Sequence, residues 1–117
     1  MRNDKKNLIV DLTFDFSIKI IEYAESLRDI NKYEMSSQIF RSGTSIGSNI
    51  KEAQNAESKA DFIHKFKIAA KEADEVEYWL KLCERSPFYP SPSAELQKQI
   101  SSIILVVSKI ISSSKKK

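Results

Sequence analysis

His64 is the only histidine of this 117-residue chain, and Asp61 precedes it by three residues. An acid-x-x-His pair turns both side chains to one face of a helix. Two such motifs, with inward-facing glutamates, build the di-iron centre of a four-helix bundle. Here there is one motif, and its spacing puts His64 on the outer side of its helix. Cys83 also stands alone and falls on an apolar seam with no histidine to activate it, so it reads as a small buried hydrophobe. A lone cysteine forms no internal disulfide, which fits a reducing cytoplasm. Glu72, Asp74, Glu75 and Glu77 spread around most of a helix circumference and read as solvated surface. The chain's two glycines, Gly43 and Gly47, lie in RSGTSIGSN, but a phosphate-cradling P-loop needs a Lys-Ser/Thr pair after its second glycine and a strand before its first. No catalytic group, metal site or cofactor is expected.

Binding has more to work with. Lys59, Lys65, Lys67 and Lys71 make the first half of the third helix basic, and Arg41 and Lys51 on the second helix are further candidates for nucleic-acid contact. The net charge of +3 is carried by the ends: residues 1–6 contribute +2 and residues 115–117 contribute +3, leaving −2 for residues 7–114. No aromatic residues interleave with the helix-three lysines, so any contact is expected with phosphates, without base readout.

The elements that hold these residues are legible in spacing. Three prolines, all in SPFYPSP, and two glycines leave little room for a turn-rich β fold. Apolar residues recur at helical intervals in four segments, predicting helices at about 10–29, 32–55, 59–85 and 92–112 with a frayed tail at 113–117. Asn31 with Glu34 suggests a capping box, Ser58 with Asp61 a second start, and Ser91 before Pro92 a third. One domain, residues 1–117, folded as an all-α antiparallel up-down-up-down four-helix bundle, follows from short connections between long amphipathic helices. The N-terminus has no apolar signal region, and the least polar run is about half the ~20 residues that cross a bilayer, so no membrane partner is expected.

Each glycine inside a helix costs about 1 kcal/mol relative to alanine. At 100° per residue Gly43 and Gly47 share one flank of the helix-two stripe, with Ser42 on the other; this predicts close packing by a neighbouring helix or a large side chain. Two helices also have more apolar surface than a lone bundle can cover. On helix three, Ile68, Trp79, Leu82 and Tyr78 lie away from the seam; on helix one, Phe14, Ile18 and Ile21 lie opposite Phe16, Ile20, Tyr23 and Leu27, the set assigned to the core. Such surplus predicts self-association, with Trp79 as its anchor.

The stretch RSGTSIGSNIKEAQNAESKADFIHKFKIAAKEADEVEYWLKL, with FDFSIKII before it, resembles the four-helix-bundle family of proteins encoded in intervening sequences of bacterial 23S rRNA genes, also called S23 ribosomal proteins. The resemblance implies a bacterial, non-enzymatic homopentameric ring. It also implies likeness to the accessory protein of diversity-generating retroelements, which binds a reverse transcriptase and nucleic acid through a basic surface. Two functions follow as expectations: a nucleic-acid-associated accessory protein touching RNA or DNA phosphates, or a scaffold that binds a protein partner and no nucleic acid.

Overall fold

The computed structural model describes residues 7–116. Four helices, α1 (Leu8–Asp29), α2 (Tyr33–Ala53), α3 (Lys59–Arg85) and α4 (Ala94–Lys115), make a rod of 47 × 21 × 21 Å with no strand among the described residues. The cross-helix pairs fix their directions. Asn7 at the start of α1 donates to Gln54 just beyond α2 at 2.9 Å, while the Ser36 hydroxyl early in α2 donates to the Ala24 carbonyl late in α1. Arg41 of α2 reaches Glu75 of α3 and Lys65 of α3 reaches Glu52 of α2, so these two are antiparallel as well. Between α1 and α4 the partners run Asp15 to Gln99 and Lys19 to Glu95, again in opposite senses. Each helix therefore packs on its two neighbours in an up-down-up-down square.

The core is one aliphatic column with two phenylalanines. Ile9, Phe16, Ile20 and Leu27 from α1 meet Ile39, Ile46 and Ile50 from α2. From α3 come Phe66, Ala69, Ala73, Val76, Leu80 and Cys83, and from α4 Leu96, Ile100, Ile103 and Val107. At about 25 cal/mol per Å² of apolar area removed from water, this column is what stabilises the bundle. Along the α1–α4 edge a polar seam closes it. The Asp15 carboxyl is held below its usual value by the Gln99 amide and then by Lys19, and Lys19 is held above its own chiefly by Glu95. Because the Asp15 pKa falls on folding, its small contribution is present above the unfolded pKa and lost as pH drops through the folded one.

Glycine sets the α1–α2 distance. A Cβ built on Gly43 would lie 2.6 Å from Cγ2 and 2.9 Å from Cγ1 of the fully buried Ile20. At Gly47 it would meet the Thr13 carbonyl and the Ser17 hydroxyl, each at 3.3 Å. The α1 backbone and Ile20 thus occupy the flank that the glycines leave bare. Ser42 is fully buried and turns its hydroxyl back to the Gln38 carbonyl at 2.7 Å.

Three expectations about helix ends are corrected. Asn31 does not cap α2. It adopts φ 65° and terminates α1 as the left-handed residue of a Schellman motif, in which Lys32 N–H reaches the Leu27 carbonyl and Asn31 N–H the Arg28 carbonyl, each at 2.9 Å. Its side chain instead accepts from the Tyr33 hydroxyl at 2.7 Å, and α2 starts after Lys32 with no side-chain cap. Ser91 does not cap α4 either. Pro92 is buried and the Pro90 carbonyl accepts from Tyr23 at 2.6 Å, which holds this stretch in the loop and leaves Ser93 to accept from Leu96 N–H at 3.0 Å. The serine run is also not a tail, because α4 continues through Ser112–Ser114 to Lys115, with Ile110 and Ile111 packed on the core ahead of it. Ser58 caps α3 by accepting from Asp61 N–H at 3.0 Å.

The glycine geometry makes a graded prediction. Gly43→Ala gains about 1 kcal/mol of helix propensity but forces a methyl into immobile Ile20, an overpacking cost of about 1–3 kcal/mol. Gly47→Ala meets softer crowding and should stay within about 1 kcal/mol of the parent. Urea unfolding of both variants should place Gly43→Ala clearly below Gly47→Ala; the reverse order contradicts this packing.

Candidate functional site

Antiparallel alternation decides which charges meet. The start of α1, the end of α2, the start of α3 and the end of α4 all lie at one pole. That pole therefore gathers Lys51, Lys59, Lys65, Lys109, Lys115 and Lys116, with Asp11, Glu52, Glu57 and Asp61 among them. Two of the four carboxylates are already engaged: Glu52 takes the Lys65 ammonium at 2.9 Å, and Asp61 accepts from the Glu57 N–H at 3.2 Å. Lys65 is held above its usual pKa chiefly by its hydrogen bond to Glu52.

The six cations read from the sequence as one set separate into three. Arg41 and Lys65 are tied to carboxylates, Arg41 to Glu75 at 3.0 Å and more loosely to Glu72 at 3.9 Å. Lys51 and Lys59 are exposed at the lysine-rich pole. Lys67 and Lys71 are exposed on the outer side of α3, where they pair with no carboxylate among the described residues.

The surplus apolar residues also separate. Phe14 is 68% exposed, and Ile18 and Ile21 stand open beside it on α1. Phe40 of α2, 46% exposed and on the same flank as the glycines, extends this face; that shared flank is the signal by which the sequence could have revealed it. On α3, Tyr78 is 59% exposed and Leu82 is open as well. Trp79, expected as the outer anchor, is half-buried against its own core, its indole edge-on to Tyr78 with ring centroids 5.4 Å apart. Its Nε1 is buried without an acceptor among the described residues, and Ile68 is half-buried too.

The groups with chemical potential do not converge. His64 is exposed on α3, Asp61 is occupied at the α3 start, and no group of three or more metal-ligating side chains occurs among the described residues. Cys83 is fully buried, and burial pushes its thiol pKa up; burial also raises the neighbouring Tyr23 phenol. A groove of about 380 Å³ between α3 and α4 is floored by Ala70, Ile104 and Ile111 and rimmed by Asp74, two serines and Lys115, with no nucleophile–base pair in it. No described helix is long and apolar enough to cross a membrane.

With the bundle and its basic pole in place, comparison with known proteins is informative. The model of the 23S rRNA-intervening sequence protein family matches residues 5–112. The chain belongs to that family. A crystal structure of a protein of unknown function from the S23 ribosomal protein family of Bacteroides thetaiotaomicron is similar to it. The two share 40% identity and a TM-score of 0.80, over 88% of this chain and 97% of that one. No curated protein matches the sequence. As a 23S rRNA-intervening sequence protein, the chain shares its four-helix architecture with a solved relative of comparable length.

The buried thiol makes a direct prediction for this family member. A raised pKa and full burial should leave Cys83 unreactive toward a disulfide reagent at pH 8 until the bundle opens, so modification should follow the unfolding rate. Labelling of the native protein as fast as that of a small free thiol would contradict the placement of Cys83.

Proposed function

We propose that this protein is a self-associating bundle that acts by binding, as an accessory protein holding RNA or DNA through phosphate contacts without reading sequence. The observation that carries the reading is the gathering of lysines from three helices at one pole, with part of the opposing carboxylate charge spent on Lys65 and on the α3 start. Lys115 sits in the last turn of α4, where the helix dipole favours its positive charge. Ammonium groups that neutralise phosphates release condensed counterions, which makes affinity steeply dependent on salt. Base-specific readout has no support at this pole, where no exposed aromatic stands among the lysines of the described residues.

A protein-interaction scaffold is the second reading, and one observation favours it. The α3–α4 loop is pinned by the Tyr23–Pro90 hydrogen bond and by buried Pro92, yet it presents Phe88 at 73% exposure. A preorganised aromatic of this kind is a suitable anchor for a partner.

The two separate in one titration. Fluorescence anisotropy with a labelled structured RNA should show binding at low salt whose logarithm falls linearly with log salt. Lys59→Gln combined with Lys115→Gln and Lys116→Gln should reduce that slope by about 0.7–0.9 for each phosphate that the variant no longer neutralises. Absence of binding at low salt, or a slope untouched by the triple variant, would remove the nucleic-acid reading and leave the scaffold.

A further inference from the structure

The pole opposite the lysines is built from different chemistry. Tyr33 begins α2 and stands exposed, and Tyr89 of the α3–α4 loop is half-buried. Each ring is backed by a cation: Arg28 lies over Tyr33 and Lys32 over Tyr89, both at 5.5 Å. A ring has two faces, and a cation on one leaves the other for a flat partner. The two tyrosines line one pocket of about 390 Å³ together with Asn31, Lys32, Glu34 and Met35. That volume falls within the roughly 300–1,000 Å³ of small-molecule sites. Both sides of the pocket are fixed in advance. The left-handed turn at Asn31 sets the α1–α2 side, and the Tyr23–Pro90 hydrogen bond at 2.6 Å holds the residue next to Tyr89. The polar groups in it are unspent. Glu34 pairs with no cation, and Lys32 with no carboxylate, among the described residues. Asn31 uses its Oδ1 on the Tyr33 hydroxyl at 2.7 Å, and its Nδ2 has no acceptor among the described residues.

We propose that this pocket takes an unpaired guanine base, free as a nucleotide or carried in an RNA strand. The base stacks on a tyrosine face, as bases do on aromatic side chains in single-strand recognition. Its edge fits the polar groups on hand. Guanine presents two adjacent N–H donors beside the O6 acceptor, so the Glu34 carboxylate accepts both while the Lys32 ammonium or the Asn31 amide donates to O6. Adenine turns a ring-nitrogen acceptor toward the same carboxylate and is repelled, and uracil and cytosine offer it a single donor position. The inference goes beyond phosphate contact and rests on the nucleic-acid reading above only where the base belongs to a strand. Charge around the pocket is balanced, Arg28 and Lys32 against Asp29 and Glu34, so binding here depends little on salt, unlike phosphate binding at the lysine pole.

Salt separates the two poles in the test. At about 0.3 M salt, where phosphate contact is weakened, anisotropy of a short labelled oligouridylate with one central guanosine should show binding at least about tenfold tighter than that of the all-uridine or single-adenosine strand. Glu34→Gln should cut that preference about tenfold, and Tyr89→Leu should remove it. Tyr33 and Glu34 are exposed, so Tyr33→Leu supplies the same test on a folded bundle if Tyr89→Leu loses helical content by circular dichroism. Calorimetry with guanosine monophosphate gives the second arm. Saturable binding of the free nucleotide without a guanosine preference in the strand assigns the pocket to the nucleotide; a preference in the strand assigns it to RNA. Failure of both arms, equal binding of the adenosine probes, or a preference indifferent to Glu34→Gln and Tyr33→Leu overturns the proposal. Structured RNA that still binds at low salt in those cases leaves the phosphate reading standing. No low-salt binding removes that reading, while guanosine monophosphate still decides the pocket.

Discussion

A closed square of four helices buries one stripe per helix, and everything distinctive about this protein follows from that limit. α1 has two apolar sides, and the packing against α2 chooses between them. Gly43 admits Ile20 to a distance no side chain would allow, and Gly47 admits the backbone around Thr13, which turns the Phe16–Ile20–Leu27 side inward and Phe14, Ile18 and Ile21 outward. The same close approach leaves Phe40 standing beside them on α2. In the proposed self-association, covering that outward apolar area with a second copy would be worth roughly 25 cal/mol per Å².

Topology does for charge what glycine does for shape. The up-down-up-down order collects at one end the lysines of the α2 terminus, the α3 start and the α4 terminus, although in sequence they lie as much as 65 positions apart, from Lys51 to Lys116. The opposite end carries Arg28 and Lys32, each with its cation over a tyrosine ring at 5.5 Å, and a loop clamped by Tyr23. The sides hold the apolar lines. A rod organised in this way can associate laterally without covering either end, so the proposed self-association and the proposed phosphate binding are physically compatible.

The all-α architecture was legible because four long amphipathic patterns and one proline cluster allow little else. The helix ends were less so. Asn31 suits a cap and a left-handed terminator equally by composition, and only the path of the chain out of α1 gives it the second role. Ser91-Pro92 resembles a helix start, but the Tyr23–Pro90 bond, across 67 positions, keeps it in the loop. The site shows the same division. Which residues are basic can be read directly, whereas Arg41 and Lys65 lose their freedom to carboxylates on a neighbouring helix, which no local pattern reports. Trp79 holds a flank position on the α3 wheel, where a ring of that size folds partly back onto the core, a degree of burial that the helical spacing does not report.

Native mass spectrometry of protein purified without nuclease bears most directly on the central claim, that the outer sides of α1 and α3 are sheltered by other copies. The account predicts a discrete multiple of 13.4 kDa at low salt, with nucleic acid as additional mass. A lone 13.4 kDa species under the same conditions would contradict it.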